Sequence, residues 1–241
     1  MILTKRKPAT PLAFFLIQLA RFMLVACLAL AIVLLFHRVK WSHAFPIKTV
    51  QLYGVHHADH ADIQQLLLPL VNKGFFTIDV DYIRDRLLQM PWIETAIVSR
   101  KWPDQVNITV TEKIAAARWD SNTLLSTTGE LFAPSLKTYP AGLPDLSGPL
   151  GQQLLMLQYD AKMNHILLPI HARIAALSLS PYAIWRLTLD NGMTIELGHQ
   201  AVLDRLAQFV RVYPQIVGNH ANGVDYVDLR YANGLAVHFK Q

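Results

Sequence analysis

Cysteine is nearly missing from these 241 residues, and the single one, Cys27, sits inside an apolar run. One thiol excludes an intrachain disulfide and any metal site built on paired cysteines. Its apolar surroundings also disfavour the thiolate that a nucleophile would need. Charge is scarce too, at 16% of residues against 52% hydrophobic, which excludes a disordered or solvating chain. There is no G-x-S-x-G elbow, no S-x-x-K pair, no Walker loop and no G-x-G-x-x-G after a strand, so the chain lacks the usual signatures of hydrolases and nucleotide-binding enzymes. No internal repeat or low-complexity tract occurs. The first 40 residues contain no acidic side chain but hold six of the 22 basic ones, leaving 16 basic against 17 acidic residues in the rest. The basic excess behind the pI of about 9.3 therefore flanks an apolar run, and no basic, aromatic-laced stripe remains for nucleic acid.

What the sequence does have is a long apolar run, Leu12 to Phe36, broken only by Gln18 and Arg21. About 20 apolar residues in a helix cross a bilayer core of about 30 Å. The uninterrupted part, Phe22 to Phe36, is shorter than that, so the first turns share the interface and Arg21 snorkels toward headgroups. The run ends in Phe36-His37-Arg38-Val39-Lys40-Trp41, which offers no small-residue cleavage site, and it reads as an uncleaved anchor and not a signal peptide. Lys5, Arg6, Lys7 and Arg21 precede its core and Arg38 and Lys40 follow it, which orients the N-terminus to the cytoplasm. The expected organisation is a short cytoplasmic tail over 1–11, a transmembrane helix over 12–36 and a linker over 37–46.

Beyond the linker, Ile47 to Tyr53 predicts a strand closed by Gly54. Asp62 and Gln65 have capping-box spacing for a helix over the following residues, and Asp79 predicts the N-cap of a second helix that Pro91 stops. Ile93–Arg100 and Gln105–Glu112 predict two strands joined at Trp102-Pro103-Asp104, and the second alternates Val106, Ile108 and Val110 with polar residues, as a half-buried strand does. The order β-α-α-β-β over 47–113 describes a small α+β module.

From 114 to 241 the texture changes to short strands and turns. Ala115–Trp119 and Leu124–Ser126 predict strands, Leu143 to Pro149 a loop, and Gln152–His165 a helix with Leu155, Tyr159 and Met163 on one face. Asn191-Gly192 and Asn233-Gly234 predict two hairpins with type I′ turns, the first between Trp185–Leu189 and Met193–Leu197, the second between Val224–Ala232 and Leu235–Phe239. Between them Val202, Leu206, Phe209, Val210 and Tyr213 form one helix face. The second domain is therefore expected to be a mostly antiparallel β domain with helices packed on one side. His56, His57 and His60, with Asp59 and Asp62, tempt a metal reading, but no second cluster accompanies them, and they read as a polar loop whose aspartates cap a helix.

The order of these features, with Val50-x-x-x-Gly54, Gly74 to Asp79, Leu88 to Ile93 and Arg100-Lys101-Trp102-Pro103-Asp104, resembles an FtsQ-type POTRA domain. Glu112-Lys113 to Trp119, Leu143-Pro144-x-Leu146-x-Gly148-Pro149, Leu197-Gly198, Arg205-Leu206-x-x-Phe209 and Val227 to Val237 are similar to the second domain of the bacterial FtsQ/DivIB division family. Ile114-Ala115 departs from the small residue or proline usual in that family after the Glu-Lys pair. The resemblance implies a non-enzymatic division scaffold without cofactor or metal, held in the inner membrane with a periplasmic C-terminal domain and concentrated at the septum. It would bind FtsB and FtsL by β-augmentation at the C-terminal hairpin, take other division proteins through the POTRA domain and help control septal peptidoglycan synthesis. The matching hairpin positions are Arg230, Tyr231, Asn233 and Phe239, although strand alternation leaves open whether either aromatic is simply core. The alternatives are a POTRA-type accessory of an outer-membrane assembly or secretion system, which would normally carry several such modules or a barrel, and a membrane-anchored cell-wall enzyme.

Overall fold

The computed structural model describes residues 11–38, 45–71, 74–217, 223–231 and 234–239. Helix α1 (Pro11–Arg38) has 28 residues, and its described side chains from Gln18 to Leu34 are all exposed. Among the described residues no helix is long and apolar enough to cross a membrane. Residues 1–10 of the expected tail (1–11) and 39–44 of the expected linker (37–46) lie outside the described residues.

The first module follows the expected β-α-α-β-β order. Strands β1 (Thr49–Tyr53), β2 (Ile93–Lys101) and β3 (Gln105–Glu112) form a sheet in the order β1-β3-β2, with β3 central. β1 runs parallel to β3 from Thr49↔Gln105 to Tyr53↔Thr109, and β2 runs antiparallel to it. The alternation of β3 turns Val106, Ile108 and Val110 into the core, where they meet Ile63 and Leu67 of α2 (His60–Val71) and Ile83 and Leu87 of α3 (Val80–Leu88). Asp79 caps α3 by accepting from Tyr82 N at 3.0 Å, as the sequence predicts. The cap of α2 differs from the expectation. Asp59, not Asp62, accepts from Ala61 N at 2.8 Å, because the helix starts a turn early and leaves Asp62 in its first turn.

The second module is one nine-stranded sheet in the order β12-β11-β10-β9-β8-β7-β4-β5-β6. Its strands are β4 (Ala115–Trp119), β5 (Thr123–Ser126), β6 (Leu131–Phe132), β7 (Asp145–Ser147), β8 (Ile174–Leu179), β9 (Trp185–Leu189), β10 (Thr194–Gly198), β11 (Val224–Asp228) and β12 (Ala236–Phe239). Most neighbours are antiparallel, but β4–β7, β7–β8 and β10–β11 are parallel. Helices α4 (Gln153–Leu167) and α5 (Val202–Ile216) pack against each other and on β8 and β10.

Four local expectations need correction. The segment 143–149 is not all loop, since Leu146 is buried on β7 between two parallel neighbours. The buried face of α4 is Met156, Met163 and Leu167, with Leu155 turned outward and Tyr159 stacked 4.5 Å from Trp185. The turn after β9 is not type I′. Asn191 has no positive φ, and only Gly192 does (+87°). Leu189 N donates to Met193 O across the hairpin, so the loop has three residues, 190–192, and ends on a left-handed glycine. Finally, β11 stops at Asp228 and not at Ala232, where Asp228 turns its carboxylate onto Arg230.

The two modules share a core. Leu124 and Phe132 of the second pack into the cluster of Ile63, Trp92 and Val110 in the first. Trp92 meets Phe132 edge to face at 5.1 Å and donates Nε1–H to Thr138 Oγ1 at 2.8 Å. Glu112, at the end of β3, accepts backbone N–H bonds from His56, His57 and Ala58 at about 3 Å each and sits 3.1 Å from the His57 ring, which stacks on Trp92. The histidine loop is thus organised around a carboxylate, and among the described residues no group of three or more His, Cys, Asp or Glu is placed to hold a metal.

Candidate partner-binding surface

The C-terminal end of the large sheet is assembled by α5. Parallel strands need a long crossover, and α5 supplies it between β10 and β11. The buried stripe Val202, Leu206, Phe209 and Val210 presses α5 on the sheet. Its flank, Arg205, Gln208, Val212 and Ile216, faces the terminal hairpin. Between the flank and the hairpin lies a cleft of about 490 Å³ that Leu229, Tyr231, Leu235 and Val237 complete.

β12 pairs antiparallel with β11, Val227↔Val237 and Asp228↔Ala236, and is the outermost strand of the sheet. Among the described residues no strand pairs with its other side, so its N–H and C=O groups there form an open edge. Alternation places Val237 and Phe239 on one face of the strand; Val237, with Leu235 just before β12, lines the cleft, and Phe239 ends the strand beyond its lining.

Arg230 is held, not loose. The Asp228 carboxylate is nearly buried and accepts from Arg230 N at 2.9 Å, Nε at 2.9 Å and Nη2 at 2.7 Å. The Arg230 hydrogen bond keeps the Asp228 carboxyl below its ordinary range despite burial, and the carboxylate in turn raises the guanidinium further. The neighbouring buried Glu196 is paired with Arg186. Burial, with Asp228 and Glu196 nearby, pushes the Tyr226 hydroxyl up. The guanidinium of Arg230 is thereby presented at the sheet end in one orientation.

Of the four residues singled out from the sequence, Arg230 is exposed, Tyr231 is 60% exposed and Phe239 is 49% exposed, so neither aromatic is core. Arg230 and Tyr231 lie together after β11, and Phe239 ends β12. Asn233 lies outside the described residues. Sequence reasoning missed Asp228 and the α5 flank. The flank had a readable signal, because Arg205, Gln208, Val212 and Ile216 recur at helical spacing beside the apolar stripe.

Comparison with known proteins places this geometry. Residues 45–113 match the family model described as POTRA domain, FtsQ-type. Residues 117–230 match the model described as Cell division protein FtsQ/DivIB, C-terminal, with Arg230 its last matched residue. The chain is 36% identical over 184 residues to cell division protein FtsQ of Coxiella burnetii, covering 76% of each chain. It is 32% identical over 203 residues to FtsQ of Escherichia coli K12, covering 81% of this chain and 74% of that one. FtsQ of Vibrio cholerae is 30% identical over 209 residues, covering 85% and 80%. With both modules matched in order and relatives of this identity over three quarters of their length, the chain belongs to the FtsQ/DivIB family of cell-division proteins.

Proposed function

We propose that the protein is a non-catalytic scaffold of the division machinery that binds FtsB, and FtsL with it, by accepting a strand on β12, and so helps control septal peptidoglycan synthesis. In this reading residues 1–11 are cytoplasmic, 12–36 anchor the chain in the inner membrane, 37–46 link, and the POTRA domain (47–113) and β-rich domain (114–241) stand in the periplasm at the septum. Other division proteins engage the POTRA domain. The anchor reading is supported by the apolar composition of the Leu12–Phe36 run within α1 and by the basic residues before it.

One observation carries the partner reading: an open edge strand beside an apolar cleft, with an exposed tyrosine at its mouth. Edge addition draws affinity from main-chain bonds and specificity from side chains entering alternate pockets. Tyr231 supplies a rigid aromatic wall and Arg230 a fixed guanidinium for an acidic side chain of the partner. Replacement Tyr231→Ala or Phe239→Ala is expected to weaken capture of purified FtsB by about 2 kcal/mol, roughly thirtyfold. Because both side chains are exposed, their melting curves should overlay the parent's. Normal FtsB capture by both variants would remove the site from this edge.

A further inference from the structure

The POTRA domain has two ends, and three segments meet at the one that receives the chain from α1. Phe45 O accepts from Phe75 N at 2.8 Å and Pro46 bridges Gly74, which clamps the incoming chain to the 74–76 turn. Lys48 N donates to Asp104 O at 2.9 Å, and Lys48 Nζ pairs with the Asp104 carboxylate at 3.2 Å, which ties in the β2–β3 turn. Since β1 and β3 are parallel and β2 opposes them, Gly54, Glu112 and the junction with the β-rich domain lie at the other end.

The receiving end is aromatic. Trp102, at the tip of its turn, is 71% exposed, whereas Trp92, Trp119 and Trp185 are buried. Phe76 is exposed and Phe45 marginally so, and they meet edge to face at 5.5 Å. Lys101 is exposed beside them, while Lys48 is paired with Asp104 and Asp79 caps α3. An indole is a large apolar body with one polar edge, and the bilayer interface is where both are satisfied. Only the six residues 39–44 separate Arg38 from Phe45, a reach of about 25 Å even fully extended. Such a tether gives the end face a high effective concentration at whatever surface α1 leaves, so even a small patch suffices to dock.

We infer that this end of the POTRA domain rests on the outer face of the bilayer, with the Trp102 indole at headgroup depth, Phe45 and Phe76 beside it, and Lys101 toward anionic lipid phosphates. The occupant of the patch is the lipid surface itself. This inference rests on reading α1 as a membrane anchor.

The test uses the full chain in vesicles of phosphatidylcholine and phosphatidylglycerol brominated on acyl carbons near the headgroup. Trp41, close to the anchor, is first replaced in a Trp41→Phe background, which leaves Trp102 as the exposed indole. Bromolipid should quench most of the Trp102 emission in this protein, and the quenched component should be missing from Trp41→Phe/Trp102→Phe. Retention of the chain by vesicles in alkaline carbonate reports the anchor separately. Unquenched Trp102 in carbonate-resistant protein would overturn the inference and leave the anchor standing, whereas release by carbonate would overturn both.

Discussion

Glu112 shows how much one carboxylate can organise. Burial alone would raise its pKa, but the N–H groups of His56, His57 and Ala58 and the His57 ring outweigh burial and hold it below the ordinary 4.5. A depressed carboxyl stabilises the fold above the unfolded pKa, and that contribution is lost as pH falls through 4.5 and below. Glu112→Ala leaves three backbone donors without their acceptor and should cost about 2–3 kcal/mol. Glu112→Gln should cost less and flatten the acid limb of a melting-temperature profile, and an unchanged limb would show that the carboxylate does not titrate with unfolding. Asp160 carries the opposite sign. Burial raises its carboxyl, with the Asn164 amide opposing, so its contribution is unfavourable at neutral pH and fades as pH falls through the raised value. Asp160→Asn keeps an oxygen for Asn164 and should therefore raise the melting temperature at pH 7 but not under acid conditions.

At the scale of elements, those with a long uniform pattern could be read directly. β3 spans the eight residues its alternation marks out, and the buried stripe of α5 contains four of the five positions named for it. The short strands β6 and β7 could not be read, since two or three residues carry no period and their burial is decided by neighbours far along the chain. β8 is hard to read because Ile174, Leu177 and Leu179 are spaced by three and then two, out of the strand period, where its pairing with β9 shifts register between Ile174 and Ala176. Nor does the sequence show that Glu112 meets a loop more than fifty positions earlier, or which way Tyr231 turns, because alternation fixes a face without saying what covers it. Gly54 is an element boundary that admits no substitute. It has φ of +85°, and a Cβ there would stand 2.0 Å from Val110 O of the central strand. Gly54→Ala should cost about 3 kcal/mol or more, read as a shift in denaturant midpoint.

At the scale of the molecule, the described residues form two sheets whose packing is continuous through Trp92, Leu124 and Phe132. Phe132→Ala should therefore cost about 3–4 kcal/mol and also lower amide protection in β3, in the other module. If the loss of protection stopped at β5 and β6, the two cores would be independent. The parallel pairing of β1 with β3 also has a mechanical meaning. The chain enters the POTRA domain at the start of β1, on the side of α1, and leaves at the far end of β3, toward the β-rich domain. If the proposed function holds, a pull between membrane and partner slides these two strands along each other in opposite directions. Slippage must then strain all the rungs from Thr49↔Gln105 to Tyr53↔Thr109 together, where peeling would open them one at a time. The POTRA domain thus meets tension in its stiff direction, as a lap joint does.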